Sequence, residues 1–246
     1  MYRNVMDINE RGLSIIRAGM AVMVIAAVFL HAAGVQAQQG VQGDAVPVIA
    51  LQDTLYVTDS MYLEVDLDHQ EVYRHYSDGR IDTFLCSTGN PKLSRGLATR
   101  PGIFTIKWKA KRHVSSIFNV PMYYWMPFDG GIGFHSLQGD DYYVHLGYEP
   151  SSHGCVRMSN ESGEYLYSTT PVGTIVYVHK GTPARVLRFA AATAADLRIL
   201  KRSDLSLLRK RLDAVKNGRA SDPILREKLA VPRKFASKIE VGEIPQ

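Results

Sequence analysis

The chain has 246 residues, of which 46% are hydrophobic and 22% are charged, and its net charge is +5. These fractions are typical of a globular protein and exclude wholesale disorder, a collagen-like chain and a long coiled coil. The charge is unevenly placed, because the chain from Pro183 onward carries 15 Lys and Arg against 7 Asp and Glu. The basic character belongs to that C-terminal segment and does not by itself indicate a nucleic-acid-binding protein.

The N-terminal segment has the pattern of an export signal. Arg11 and Arg17 precede an apolar run over residues 18–30, and small residues then lead to Ala37. A basic stretch, a short apolar stretch and a small-residue end are the parts of a secretory signal. The run is shorter than the roughly 20 apolar residues of a membrane-spanning helix. The pattern therefore predicts a signal peptide over residues 1–37 and a periplasmic or cell-envelope location, with an uncleaved membrane anchor as the alternative.

The next segments are predicted to be a linker over residues 38–55 and a mainly β domain over residues 56–182. The domain's strands are predicted from period-two alternation of apolar and polar residues, separated by turn-forming residues. They fall at residues 61–67, 71–76, 81–86, 103–108 and 173–178. One short helix is predicted over residues 161–168, with Asn160 as its N-cap. The expected architecture is two packed sheets with a short helix.

The segment 183–246 is predicted to be a basic helical extension. Apolar residues at helical spacing indicate helices at residues 196–200 and 205–212, with Ser203 or Asp204 capping the second. The last dozen residues have the composition of a frayed tail. Such a basic amphipathic stretch could pack on its own domain, contact an anionic membrane or wall surface, or bind a partner.

The two cysteines have different surroundings. Cys86 ends a strand-like run, which favours a buried structural thiol over half of a disulfide. Cys155 lies among polar, glycine and charged residues, between His153 and Arg157. A thiol beside His and Arg is expected to ionise near neutral pH, so Cys155 is the candidate nucleophile.

Other residues near Cys155 in sequence have the chemistry that a thiol enzyme requires. His135 could accept the thiol proton, and backbone N–H groups around Gly154 could stabilise an oxyanion. Tyr124 and Trp125 either line a groove for a sugar-peptide substrate or belong to the core. His135, His145, His153 and Cys155 could instead form a zinc set, but they lack the compact ligand spacing of a zinc site. No metal and no cofactor are therefore predicted.

An ordered series of motifs runs through roughly residues 60–180. These are Tyr62 to Gly89, Thr99-Arg100-Pro101-Gly102-Ile103-Phe104, Met126-Pro127-Phe128 through His135, Leu146-Gly147-Tyr148-Glu149-Pro150, and Ser152-His153-Gly154-Cys155-Val156-Arg157-Met158. The series, and the last motif above all, resembles the signature of the L,D-transpeptidases, the YkuD-like catalytic domain of bacterial cell-wall enzymes.

The resemblance implies a YkuD-like β-sandwich of mixed sheets and a role for each matching residue. Cys155 would be the nucleophile that forms a thioester with a peptidoglycan stem peptide, and His135 would be the general base and acid. His153 and Gly154 would shape the oxyanion site. Arg157 would bind substrate, as would Tyr124 and Trp125 if they line the groove. Where the family often has Gly after its upstream His, this chain has Ser136, which could orient the imidazole by hydrogen bonding.

The implied function is peptidoglycan cross-linking with release of D-Ala, or attachment of a protein to the wall. One alternative is an L,D-carboxypeptidase or hydrolase that resolves the same thioester with water. Another is a wall-binding module without catalysis, which the complete set of Cys155, His135 and Arg157 disfavours. The predicted partners are peptidoglycan stem peptides, with possible surface contact through the basic segment and no nucleic acid.

Overall fold

The computed structural model describes residues 51–191, 194–234 and 236–244. The predicted signal segment, and residues 38–50 of the predicted linker, lie outside the described residues. Within these ranges, no helix is both long and apolar enough to cross a membrane.

In the described part of the chain, thirteen strands form three sheets. The first is a parallel sheet in the order β11-β1-β13-β12, formed by Arg185–Phe189, Asp53–Val57, Lys228–Ala230 and Leu197–Ile199. The second is a mixed sheet in the order β4-β3-β2-β10-β5, formed by Ile81–Leu85, Glu71–Tyr76, Met61–Asp66, Ile175–His179 and Gly102–Thr105. The third has the order β6-β7-β8-β9 and is formed by Ala110–Val114, Pro121–Asp129, Ile132–Ser136 and Val156–Arg157.

Among the described residues, two α-helices accompany the sheets, α1 over Asn160–Thr169 and α2 over Leu205–Lys216. Single 3-10 turns occur at Tyr143–His145, Arg202–Asp204, Pro223–Leu225 and Ala236–Lys238. Helix α1 begins after Ser159, whose side chain accepts a hydrogen bond from the Ser162 backbone N–H, so the N-cap lies one residue before the predicted Asn160.

The five-stranded sheet has an apolar layer on each face. Because side chains alternate along a strand, Leu63 and Val65 of β2 enter one cluster with Phe128 and Phe134 of the third sheet. Tyr62 of the same strand enters a second cluster that includes residues from the first sheet and α2. The mainly β class with mixed sheets is confirmed, and the third sheet is an addition to the two that the sequence predicts.

The C-terminal segment is more β-rich than predicted. The helix expected at residues 205–212 is present as α2, but the helix expected at 196–200 is wrong, because Leu197–Ile199 is strand β12. β12 pairs with β13, and β13 with β1, in parallel. Strand β1 begins inside the stretch that was expected to be a linker. The expected tail is also packed, since Ile239 and Val241 are almost fully buried.

A buried ion cluster ties these distant segments together. The Asp53 carboxylate accepts hydrogen bonds from Arg185 at 2.8 Å and from Arg211 at 2.6 and 2.8 Å, and all three side chains are at most 1% exposed. The two guanidinium groups donate further to backbone carbonyls, among them Leu208 and Ile224. One carboxylate therefore joins β1, β11 and α2, which explains why residues 183–244 fold onto the rest of the described chain.

Candidate active site

A cavity of about 1490 Å³ opens beside strands β8 and β9. Cys155, His135 and Arg157 all line it, together with His145 and His153. Its lining also includes the apolar residues Leu93, Leu97, Ile117, Phe118, Val120, Met122 and Ile132. The cavity therefore joins the residues predicted to do the chemistry with an apolar surface that the sequence did not predict.

Parallel pairing of β8 with β9 brings the nucleophile and the base together across 20 residues of sequence. Phe134 pairs with Val156, and His135 pairs with Arg157. Cys155 precedes Val156 and so lies beside Gly133, two positions along the register from His135. The Cys155 Sγ is 3.7 Å from the Gly131 carbonyl oxygen. His135 of β8 and Cys155, the residue before β9, thus lie at one cavity.

The turn before Cys155 is held by Ser152. The Ser152 hydroxyl donates to the Cys155 carbonyl at 2.5 Å and accepts from the Gly154 N–H at 3.1 Å. Ser152 is buried, and its own backbone is hydrogen-bonded to Thr88 and Asn90. The sequence analysis did not assign Ser152 a role in the site, although serine hydroxyls commonly form hydrogen bonds with nearby backbone groups in turns.

Gly154 has a conformation that favours glycine. Its φ is +135°, and its carbonyl accepts a hydrogen bond from the Thr99 hydroxyl at 2.7 Å. A Cβ on the neighbouring Gly89 would lie 2.6 Å from the Gly154 Cα and 2.2 Å from the Leu97 carbonyl. The predicted site-shaping role of Gly154 therefore rests on backbone conformation. Its N–H is engaged by Ser152 rather than directed at an oxyanion.

His135 is held as a neutral imidazole. It is 5% exposed, and its Nδ1 lies 3.1 Å from the Ser136 carbonyl. Burial lowers the pKa of His135 to about 4. The nearby Arg157 charge also lowers this pKa, whereas the hydrogen bond to the Ser136 carbonyl raises it. When Nδ1–H donates to this carbonyl, Nε2 carries the lone pair that a general base requires. His135 is thus unprotonated at neutral pH.

The expectation that Cys155 is ionised near neutral pH is wrong for this conformation. Burial raises the pKa of Cys155 to about 11, although the Gly133 backbone and the Arg157 charge act in the opposite direction. The sequence shows the positive neighbours but not the desolvation, which dominates. The resting site therefore holds a neutral thiol and a neutral imidazole. Cys86 is a free, fully buried core thiol, as predicted, and its pKa is also raised by burial.

Arg157 is a buried cation without an acidic partner among the described residues. Its Nη1 donates to the Ser151 hydroxyl at 3.0 Å, and its guanidinium lies 4.7 Å from the Tyr142 ring centroid. The buried Nε makes no hydrogen bond in the described structure. A desolvated guanidinium that lines the cavity is suited to bind a carboxylate. Tyr142, which covers it, was not predicted as a site residue.

The predicted groove aromatics do not line the cavity. Trp125 is 2% exposed, and its ring stacks on His113 at 5.6 Å and lies 6.2 Å from His135. The Tyr124 ring packs on Tyr167 of α1 at 5.9 Å. The cause is a β-bulge in β7. Tyr123 pairs with Ser136 and Met126 pairs with Phe134, so an interval of three residues on β7 lies opposite an interval of two on β8. Within the bulge, Tyr124 has φ +54°.

The structure places two further predicted site residues, Ser136 and His153, differently from the prediction. The Ser136 hydroxyl does not orient the imidazole, because it faces Gly163 of α1 and has no hydrogen bond, while the Ser136 carbonyl accepts from His135 instead. The His153 ring lines the cavity but packs on Phe118, with ring centroids 4.2 Å apart. Among the described residues, no three His, Cys, Asp or Glu side chains converge as a metal site.

Comparison with known proteins identifies the domain that carries this site. Residues 60–178 match the family model of the L,D-transpeptidase catalytic domain, YkuD. Residues 60–178 are a YkuD domain. All of the cavity-lining catalytic candidates, Cys155, His135 and Arg157, lie within the YkuD domain, whereas β1, β11, β12, β13 and α2 lie outside it.

Among solved structures, the chain is similar to an L,D-transpeptidase from Mycobacterium smegmatis. The identity is 22%, the match covers 49% of this chain and 58% of that chain, and the TM-score is 0.44. Another is an L,D-transpeptidase from Stackebrandtia nassauensis, with 27% identity, 50% and 57% coverage, and a TM-score of 0.42. The matched part spans less than two thirds of each of these chains. The comparison with curated proteins returned no match.

Proposed function

We propose that the chain is a peptidoglycan L,D-transpeptidase that works through a Cys155 thioester. The observation that carries the proposal is the cavity shared by His135 of β8 and Cys155, the residue before β9, inside the YkuD domain. A thiol beside a neutral imidazole has the two groups that acyl transfer requires, a nucleophile and a base. We also propose export to the cell envelope, which the basic and apolar N-terminal pattern supports.

The donor is a stem tetrapeptide that ends in D-Ala. In the first half-reaction, Cys155 Sγ attacks the carbonyl carbon of the residue before that D-Ala. Its proton passes to Nε2 of His135, whose pKa of about 4 leaves this nitrogen unprotonated beforehand. The C–N bond to D-Ala then breaks, and the leaving amine takes the proton from His135. The products are a Cys155 thioester and free D-Ala.

In the second half-reaction, the amine of an acceptor stem peptide attacks the thioester carbonyl. His135 removes a proton from the attacking amine and returns one to the departing Cys155 sulfur. A new amide bond replaces the thioester, so the enzyme is regenerated. If the acceptor were an amine of a protein, the same steps would attach that protein to the wall.

The raised pKa of Cys155 has a consequence for the order of these steps. Because the free thiol is neutral at pH 7, we propose that its proton moves to His135 only as the carbonyl is attacked. A thiol that ionises only when substrate is bound is protected from oxidation and alkylation between turnovers, since the thiolate is the reactive form.

Arg157 would bind a carboxylate of the donor. It lines the cavity, is 5% exposed and has no acidic partner in the described residues. The cavity exceeds the roughly 300–1,000 Å³ of a site for one drug-sized ligand. A cavity of about 1490 Å³ can hold a donor and an acceptor peptide, as the proposed transpeptidation requires.

The proposal is tested by product analysis with the full chain and purified disaccharide-tetrapeptide. We expect cross-linked dimers with loss of D-Ala, absent with Cys155→Ala and retained with Cys86→Ala as the matched thiol control. Tripeptide monomer as the sole product, again dependent on Cys155, would identify an L,D-carboxypeptidase instead. Dimers formed by Cys155→Ala at the wild-type rate would contradict the proposed mechanism.

A further inference from the structure

The exposed face of α2 is strongly basic. The helix buries Leu208, Leu212 and Val215 against its own domain, together with Ala214 and the ion-paired Arg211. Its opposite face exposes Arg209, Lys210, Asp213 and Lys216. Because the apolar face is already covered, this helix cannot insert into a bilayer as a free amphipathic helix does. What it presents to solvent is charge.

These cations are not neutralised by the acidic residues around them. Asp213 pairs with Arg219 at 2.7 Å, while Asp204 and Glu227 both pair with Arg198, at 2.7 and 2.5 Å. Within the described residues, no carboxylate oxygen lies within 4.0 Å of the charged nitrogens of the exposed basic residues of α2 or of the two that precede it. These basic residues are Lys201, Arg202, Arg209, Lys210 and Lys216.

The spacing places the helical cations on one strip. Residues three, four and seven positions apart share a helix face, so Arg209 and Lys216 lie in line, with Lys210 beside them. The helix is about 18 Å long. Arg209 borders a small cavity that Lys210 and Lys216 do not line. The row as a whole is therefore complementary in charge to an extended anionic surface rather than to a ligand held in one pocket.

We propose that this basic face of α2 docks on the phosphate headgroups of an anionic phospholipid bilayer. The attraction is electrostatic, since each Lys or Arg near an anionic membrane strengthens binding. This contribution falls off with distance from the membrane within a Debye length. The inference goes beyond the transpeptidase reaction. It assigns a function to a helix that lies outside the YkuD domain and contributes no residue to the cavity.

The test is co-sedimentation of the full chain with vesicles of phosphatidylcholine alone and of an equimolar mixture with phosphatidylglycerol. The phosphatidylcholine arm measures binding by other parts of the chain, including the apolar run at residues 18–30. We expect additional binding to the mixed vesicles that disappears in 1 M salt, where the Debye length is about 3 Å.

Two triple variants separate the site from overall charge. Arg209→Gln/Lys210→Gln/Lys216→Gln is expected to lower partitioning onto the mixed vesicles by roughly 100-fold, because each cation contributes about fivefold. The matched control, Lys107→Gln/Lys111→Gln/Arg112→Gln, removes the same charge from exposed positions at and before β6. It is expected to bind like wild type.

Equal loss in both variants would mean that net charge alone governs binding, and no loss in the α2 variant would mean that other residues do; either overturns the proposal. Soluble polyphosphate could also compete for the basic face. If it binds the chain as tightly as the mixed vesicles do at equal phosphate concentration, and the α2 variant loses that binding too, the face would be assigned to polyanions rather than to a bilayer. The thermal midpoint and muropeptide turnover of the α2 variant are expected to be unchanged, so unfolding or a failed transpeptidase assignment would be recognised separately.

Discussion

The most direct test of the fold is the removal of one negative charge at Asp53. In wild type, two guanidinium groups share this carboxylate, and all three side chains are at most 1% exposed. Asp53→Asn keeps the size of the side chain but leaves Arg185 and Arg211 as buried cations without a counter-ion. Removing one partner of a buried ion pair costs about 3–5 kcal/mol.

Since the cluster joins β1, β11 and α2, we expect the whole described fold to lose that amount of stability. For a chain of this size, each kcal/mol corresponds to about 2–4 °C in the unfolding midpoint, which predicts a fall of about 10 °C. The assay is urea and thermal unfolding followed by circular dichroism.

Asp213→Asn is the matched control, because Asp213 pairs with Arg219 at the surface, where both side chains are at least half exposed. It is expected to change the free energy of unfolding by less than about 1 kcal/mol. A loss below about 1 kcal/mol for Asp53→Asn would refute the argument that this carboxylate holds the C-terminal segment to the fold.

Three further predictions concern the site. Gly154→Ala is expected to lower muropeptide turnover by at least about 100-fold, because a side chain is strained at φ +135°; wild-type kinetics would contradict this. Arg157→Gln is expected to raise KM at least about tenfold for donors with a free carboxylate, and to leave KM unchanged for amidated donors, as steady-state kinetics would show. The pKa of His135 is about 4 in the folded chain and about 6.5 in the unfolded chain, so the unfolded chain binds the proton more tightly. As the pH falls from 8 to 5, the free energy of unfolding of the wild type is therefore expected to fall by about 2 kcal/mol. His135→Gln is expected to flatten that dependence in urea titrations, and an unchanged slope would show that other groups cause it.

The parts of this molecule that the sequence predicted well are those with local signals. Strands β2 and β3 follow from strict alternation, and α2 follows from its 3.6-residue period. The catalytic roles of Cys155 and His135 stay a prediction, and the structure places both residues at one cavity.

The errors arise where distant segments decide the outcome. Strand β12 is only three residues long and exists because it pairs with β13, some 30 residues away. The bulge at Tyr124 withdraws Trp125 from the cavity, and no composition signal marks it. The pKa of Cys155 depends on burial, which outweighs the visible positive neighbours. Each of these is a tertiary effect on a correctly located segment.

The central claim is that Cys155 carries the acyl group. It is tested by intact-protein mass spectrometry of the full chain, quenched in acid early in the reaction with tetrapeptide donor and without acceptor. The predicted result is a mass increase equal to the donor minus D-Ala, mapped by peptide digestion to Cys155 and absent in Cys155→Ala. An adduct on another residue, or full turnover by Cys155→Ala, would contradict it.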